Sequence, residues 1–557
     1  MFLFDFFRSF LPLHNPIGFG ASDFIELALA ALLVLLLFAR AEAAPFVQRF
    51  AKRTGWCILL LALLPVLLRL ALLPRAPVPT PSGSDDFSYV LLADTLRHFR
   101  FANPTHPLHR FFEAIFVLQE PSYASIFPAG QGIALAIGWM LFGHPWAGVV
   151  VSVAALCAVS YWMLRAWTTP GWALFGGLLA IMEFGPLNYW MNTYWGGAVS
   201  AVAGCLVFGA LPRVKQSKAP RDAALLGAGL GLQLITRPFE FLLLAICAAV
   251  YLVVPFRFEP RALRRPAAAA TLAFFPFLAL TLIQNKQVTG SWTSLPYQLS
   301  RYQYGAPTTF TFQPNPEPHR ALTPEQELDY RAQCAVHDEP GSYWRRLWDR
   351  VGFYRFFFLT PLYLALPFFL LLLREWRFQF AAGALSLFAL ADNFYPYFYP
   401  HYIAALTCLF LLVSVASLER LTRWNAFAAR ILALFCATNF IFWYGIHGMR
   451  DEGVRRSMVP YETWAYLNQG DPEGRLAINR QLEERPGKQL VFVRYSAQHG
   501  FHEWIHNAAD IDASRVVWAL DLGPEENQKL IHYYPDRQIW LVLPDALPPR
   551  ITPYVKP

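Results

Sequence analysis

Apolar residues in this chain fall into long runs broken by short polar loops. Thirteen such segments stand out, at roughly 24–39, 56–73, 130–142, 146–164, 172–184, 195–211, 223–236, 239–256, 267–284, 353–373, 378–392, 402–418 and 426–444. Runs such as "WCILLLALLPVLLRLALL" reach or approach the ~20 apolar residues that a spanning helix needs. Backbone polar groups in lipid must be satisfied within the segment, so the pattern predicts helices throughout. No fixed-period repeat is visible.

The polar stretches sort by charge. Short Lys/Arg-rich loops mark the cytoplasmic side, and 40–55, 212–221, 257–266, 374–377 and 419–423 qualify. That assignment places 74–129, 285–350, 392–401 and the tail from about 446 outside. The run 223–256 begins and ends at basic loops, so it must go out and return. Its turn, "TRPFEF", puts Arg237 and Glu240 near the external face. Both termini come out external, which demands an even number of crossings, so one of the thirteen segments stops short, expected within 130–184. The N-terminal "MFLFDFFRSFLPLHNP" lacks a basic region followed by a small-residue cleavage site, so the first span is expected to stay as an uncleaved anchor.

The tail follows a different rhythm. "KQLVFVRYS" (488–496), "SRVVWALD" (514–521) and "RQIWLVLPD" (537–545) read as β-branched strands, with a helix over 524–534 between the last two. The expected architecture is mainly α: a polytopic membrane helical bundle of about 12–13 spans over 1–445, with a small external α/β domain over 446–557.

Composition agrees with lipid as the solvent. Of 557 residues, 55% are hydrophobic and 15% charged, against about 25% charged in average proteins. The net charge of +8 is spread over membrane-flanking loops without a dense basic run, which argues against a nucleic-acid partner. Six of the seven cysteines lie in or beside apolar spans and Cys334 is alone in a polar loop, so neither a disulfide framework nor a metal cluster is indicated.

Candidate chemistry concentrates at the external loops. In "SGSDDFSYVLLADTLRHFR", Asp85 and Asp86 open an amphipathic segment that suits a helix lying at the membrane interface. One reading is a helix start, with Ser84 as cap and the acids complementing the dipole. The other is a carboxylate that takes a proton from an acceptor or binds a divalent cation. Arg237 with Glu240 forms a charge pair at membrane depth, suited to gripping a phosphate. His401 and Tyr402 begin a span beside an aromatic loop, as anchors or as ligands of phosphate or sugar. His106, with His109 and Glu120, lies in the first loop; Gln131 opens the next segment. Asn192, with Asn188 and the Trp-Gly-Gly at 195–197, could line a cavity. Glu183 and Asp392 are acids near span ends. His502-Glu503-Trp504-Ile505-His506 matches the H-E-x-x-H zinc pattern, which requires a helix to bring both histidines to one ion.

The first-loop stretch, followed by "SIFPAGQGIALAIGWMLFGHPWAG", resembles that of polytopic glycosyltransferases with the C-type fold, among them protein O-mannosyltransferases and the aminoarabinose transferase of lipid A. Their acidic motif D-E-x-x-Y reads here Asp85-Asp86-Phe87-Ser88-Tyr89. Their K-P-P entry reads Ile126-Phe127-Pro128-Ala129, without the lysine, so that basic role is not carried over. "NYWMNTYWGGAVSAVAG", "TRPFEFLLLA", "LPYQLSRYQYG" and "YPHYIAALTCL" are similar to a bacterial family of this class. The resemblance implies a multi-pass transferase of the cell inner membrane, with its site on the external, periplasmic side. It would move a sugar, with inversion, from a polyprenyl-phosphate carrier to a lipid, glycan or protein acceptor. Asp85 would be general base or metal-associated acid, Asp86 would stand where the family's Glu does, and a divalent metal ion could join them. The rival readings are a transporter or lipid flippase, and a membrane-anchored scaffold with an external binding domain.

Overall fold

The computed structural model describes residues 43–81, 83–254, 260–338, 341–448, 471, 474–497, 499–500 and 503–554. The expected first span, 24–39, and His502 lie outside the described residues.

The helices are α1 (Ala43–Ala51), α2 (Thr54–Ala71), α3 (Ser84–Arg97), α4 (Ala129–Phe142), α5 (Trp146–Leu164), α6 (Pro170–Phe184), α7 (Ala198–Ser217), α8 (Pro220–Leu234), α9 (Pro238–Val253) and α10 (Pro260–Thr289). They continue with α11 (Pro296–Tyr304), α12 (Pro324–Asp338), α13 (Tyr343–Phe353), α14 (Trp376–Asp392), α15 (Thr407–Trp424) and α16 (Ala426–Gly448). Six helical stretches among the described residues are long and apolar enough to cross a membrane.

Contacts at the helix ends sort the bundle into two faces. At one, Arg377 donates to the Trp167 carbonyl at 2.9 Å, Thr168 to Glu419 at 2.8 Å and Lys215 to the Tyr251 carbonyl at 3.2 Å. These join the basic loops that the charge pattern grouped together. At the other, Gln287 accepts from the Phe101 N–H and Gln303 donates to the Glu120 carbonyl, so the two long loops meet there.

Helix α4, within the 130–184 stretch, keeps to the loop face. Its start is tied to this loop face by the Gly130 N–H donating to the Ile235 carbonyl. Its middle packs on the first turn of α5, where a Cβ on Gly148 would lie 2.0 Å from the Ala134 oxygen. Trp146, which opens α5, donates to the Met191 carbonyl on the same face. Both ends of α4 therefore stay at the loop face. Its 14 residues give ~21 Å, short of the ~30 Å hydrocarbon core.

One expectation fails locally. Residues 353–373 do not form a single α-helix but three 3₁₀ pieces, Tyr354–Phe357, Thr360–Leu364 and Leu366–Leu372. Pro361 and Pro367 open the second and third; each lacks an N–H and its ring opposes the carbonyl four residues back. The bundle is held by close approach of small residues, as expected where lipid supplies no hydrophobic drive between helices. A Cβ on Gly204 of α7 would sit 1.8 Å from the Ala405 carbonyl oxygen.

The tail holds α17 (Arg475–Glu483), β1 (Lys488–Val493), β2 (Val516–Leu520), α18 (Pro524–Tyr533), β3 (Arg537–Leu543) and β4 (Arg550–Pro553). The sheet order is β2-β1-β3-β4, with β1 parallel to both β2 and β3, and β4 antiparallel to β3. The three strands and the helix read from the sequence are present, and β4 is added at the edge.

Candidate active site

Helix α3 carries the paired acids, and its start differs from expectation. The cap is Gly83 in extended backbone without a side-chain hydrogen bond, and Ser84 is the first helical residue. Nor does α3 lie on a lipid surface: Asp86, Ser88, Tyr89, Leu91, Leu92, Ala93, Asp94 and Thr95 are buried. The tail covers the face that the sequence pattern left for lipid, and the bundle covers the other.

The two acids have different surroundings. Asp86 is 1% exposed, and its Oδ1 accepts the Tyr194 N–H at 2.8 Å. The Tyr194 carbonyl accepts from Gln131 at 2.7 Å, and its hydroxyl donates to the Pro79 carbonyl at 2.8 Å. Asp86 thus organises the 192–195 loop. Asp85 is half-buried. Desolvation pushes its carboxyl up to about 6 against the opposing pull of the Arg237 guanidinium, and Glu503 adds to the rise.

Arg237 caps α9 from the tight turn after α8. Its Nη1 is 3.4 Å from Glu240 Oε1 in the first turn of that helix, and its guanidinium lies 4.5 Å from the centre of the Tyr402 ring. That charge is felt at Asp85, Tyr89, Tyr297 and Tyr402. Tyr89 stacks on Phe127 at 4.2 Å, and Tyr297 meets the same ring edge-on at 5.8 Å. The group is a half-buried cation and carboxylate framed by tyrosine hydroxyls. It suits the holding of an anionic headgroup beside a proton acceptor.

His401 sits in the 3₁₀ turn Pro400–Leu406 ahead of α15. Its Nδ1 is 3.3 Å from the Tyr189 hydroxyl, and its ring packs edge-on against Trp195 at 4.7 Å. Asp392, at the end of α14, is buried beside Arg237, Glu240 and Arg350, and neither carboxylate oxygen has a hydrogen-bond partner among the described residues.

Other candidates serve the frame. Asn192 accepts from Arg69 at 3.0 Å and donates to the Pro186 and Asn188 carbonyls. His106 accepts the Leu108 N–H at 2.9 Å and lies 3.2 Å from the Tyr534 hydroxyl, at the seam with the tail. His109 and Glu120 join Glu113 and Arg320 in an ion cluster between the two long loops. Residues 503–508 form no helix, so the backbone that an H-E-x-x-H zinc site needs is missing there. Among the described residues no group of three or more His, Cys, Asp or Glu side chains is arranged to hold a metal ion.

Several groups were not read as site residues: Tyr89 and Tyr297 beside Arg237, and Glu325 and Asp329, which with Glu503 face Asp85 or one another. Tyr89 and Tyr297 do lie in "DDFSY" and "LPYQLSRYQYG". Nothing local marks Glu325 and Asp329, and Glu503 is marked only by its zinc-like pattern; long-range folding brings the three together. A cavity of about 720 Å³ lies at the opposite, basic face, lined by Trp162, Arg213, Gln216, Ser217, Arg221 and Asp222; it takes no part in this group.

The fold is one already seen in solved structures. Among solved structures it is similar to ArnT from Cupriavidus metallidurans in the apo state, at 13% identity and a TM-score of 0.50, over 88% of this chain and 93% of that one. The same ArnT bound to undecaprenyl phosphate superposes with a TM-score of 0.50 at 11% identity, over 88% and 93% of the two chains. No family model and no curated protein matches the sequence.

Proposed function

We propose that this integral membrane protein is a glycosyltransferase that takes a sugar from a polyprenyl-phosphate carrier and passes it, with inversion, to an acceptor on the external side of a bacterial inner membrane. The observation that carries this reading is a half-buried Asp85 carboxylate within the electrostatic reach of Arg237, whose guanidinium is held over the Tyr402 ring at the loop face. It stands in a fold similar to one whose solved form holds undecaprenyl phosphate.

The chemistry follows from the two charges. An acceptor hydroxyl oxygen attacks the anomeric carbon from the face opposite the phosphate, and its proton passes to Asp85. The bond from the anomeric carbon to the phosphate oxygen breaks, and its electron pair leaves on the phosphate. Arg237 faces that growing negative charge, with Glu240 and the Tyr402 ring fixing its orientation. Preorganised charge at the leaving group is commonly the largest catalytic contribution. No step is routed through a metal ion.

The test is transfer from labelled polyprenyl-phosphate sugars by the purified chain in lipid nanodiscs. Release of polyprenyl phosphate together with an inverted glycosidic product is expected. Movement of the intact lipid-linked sugar across a bilayer without release would replace this reading with the flippase.

A further inference from the structure

We propose that the C-terminal segment forms a wall of the Asp85 site, with Glu503 as the positioning residue that holds the first turn of α3. The inference rests on the transferase reading for its kinetic consequence, while its structural part stands alone.

The first turn of α3 is Ser84-Asp85-Asp86-Phe87, and Gly83 offers it no side-chain cap. The tail supplies the missing restraint. The Phe87 ring lies parallel to the His506 ring with 3.6 Å between centres and 9° between planes. The Arg475 guanidinium sits 4.9 Å from the Phe87 centre and donates to the carbonyls of Trp504 and His506, which fixes that irregular stretch. Glu503 is 7% exposed. Its Oε1 accepts the Ile115 N–H, and its Oε2 lies 3.4 Å from His506 Nε2. One side chain therefore joins the first-loop backbone at Ile115 to the ring that stacks on Phe87 in the first turn of α3.

The surrounding seam is built like a domain interior. Asp94 Oδ2 accepts the Ala509 N–H at 2.7 Å, and the Tyr123 hydroxyl donates to the Asn507 carbonyl at 3.1 Å. Leu91, Phe111 and Phe112 share one apolar core with Phe492, Val517 and Leu530. The void at the seam, between Phe87, Leu91, Tyr123 and Ile505, is about 10 Å³, no more than the ~10–15 Å³ that one water requires. Intrachain domain contacts are ordinarily polar enough to permit relative motion; this one encloses an apolar core.

Glu503 also belongs to a group of acids. Asp85 from α3 and Glu325 and Asp329 from α12 lie within its electrostatic range, with Arg475 as the opposing cation of the tail and His499 beside it. A glutamine could hold the Ile115 N–H without burying a carboxyl, so the hydrogen-bonding role is separable from the charge.

The experiment uses the full chain in nanodiscs with Glu503→Ala and Glu503→Gln. It reads protease cleavage of 446–557 and the kinetics of transfer from a polyprenyl-phosphate sugar. Glu503→Ala is expected to speed cleavage about tenfold or more. It should also lower kcat about a hundredfold, the scale of a misplacement near 1 Å, with KM for the donor within about twofold. Glu503→Gln should restore protection and most of kcat. Unchanged cleavage and kcat in Glu503→Ala would overturn the proposal, as would a loss confined to KM. If the wild-type chain transfers no sugar, the transferase reading falls, and the cleavage rates still decide whether Glu503 holds the tail to α3.

Discussion

The guanidinium of Arg237 lies over the ring of Tyr402, 4.5 Å from its centre, although 165 residues separate them. The ring covers one face of a planar cation whose Nη1 lies 3.4 Å from Glu240 Oε1, and its other donors have no hydrogen-bond partner among the described residues.

This arrangement distinguishes arginine from lysine. Arg237→Lys keeps the charge and loses the planar fork and the flat stacking surface. We predict a fall in kcat/KM of about tenfold, from the lost cation–π and bidentate contacts. Arg237→Ala should cost on the order of 10²-fold, because Glu240 is then left without its partner. Steady-state kinetics with varied lipid-phosphate sugar check both.

A proton acceptor must be ionised to act. With the Asp85 carboxyl held near 6 by desolvation, transfer should fall as pH drops through about 6, with a unit slope on the acid limb of kcat/KM. An acid limb centred near 4, the ordinary aspartate value, would show that Asp85 is solvated or unused.

The seam between α12 and the tail carries acids whose burial raises them: Glu325 to about 8, Glu503 to about 7 and Asp329 to about 7. A raised carboxyl binds its proton more tightly folded than unfolded, so the folded state holds more protons between about pH 4 and 8. Stability therefore falls as pH rises across that range. The melting temperature of the protein in detergent should be higher at pH 5 than at pH 8; the reverse order would contradict this account of the seam.

Packing gives a prediction independent of chemistry. Gly204→Ala places a methyl against the Ala405 backbone, one residue inside the turn that carries His401. Backbone cannot move aside as a flexible side chain does, so we expect a loss of about 1–3 kcal/mol, read as a lower melting temperature.

Much of this architecture is legible in the chain. The runs of apolar residues mark the helices, and the basic loops do meet at one end. Parity of the crossings asks for one short segment in 130–184, and α4 in that stretch is short with both ends at the loop face. The tail's strands follow from β-branched runs bounded by turns. What local pattern cannot carry is long-range contact. The amphipathic stripe of α3 reads as lipid-facing, because the 400 residues between it and its cover are invisible to periodicity. The prolines at 361 and 367 were apparent, yet composition outweighed them and the segment read as one helix. In the site, Asp85 and Arg237 announced themselves as charges at the borders of apolar runs. Asp86 reads as Asp85's equal in the sequence; its deeper burial and its hydrogen bond from Tyr194 separate them. Glu503 stood out for the wrong reason, within a zinc-like pattern.

That separation of the paired acids is also the most direct test. Asp86→Asn keeps an oxygen to accept the Tyr194 N–H, whereas Asp85→Asn removes the proton acceptor. Initial rates of polyprenyl-phosphate release should be compared side by side at pH 7, in protein whose tail remains protease-resistant. The account predicts a loss of between about 10²- and 10⁴-fold for Asp85→Asn and a rate within about tenfold of wild type for Asp86→Asn. A wild-type rate from Asp85→Asn would contradict it.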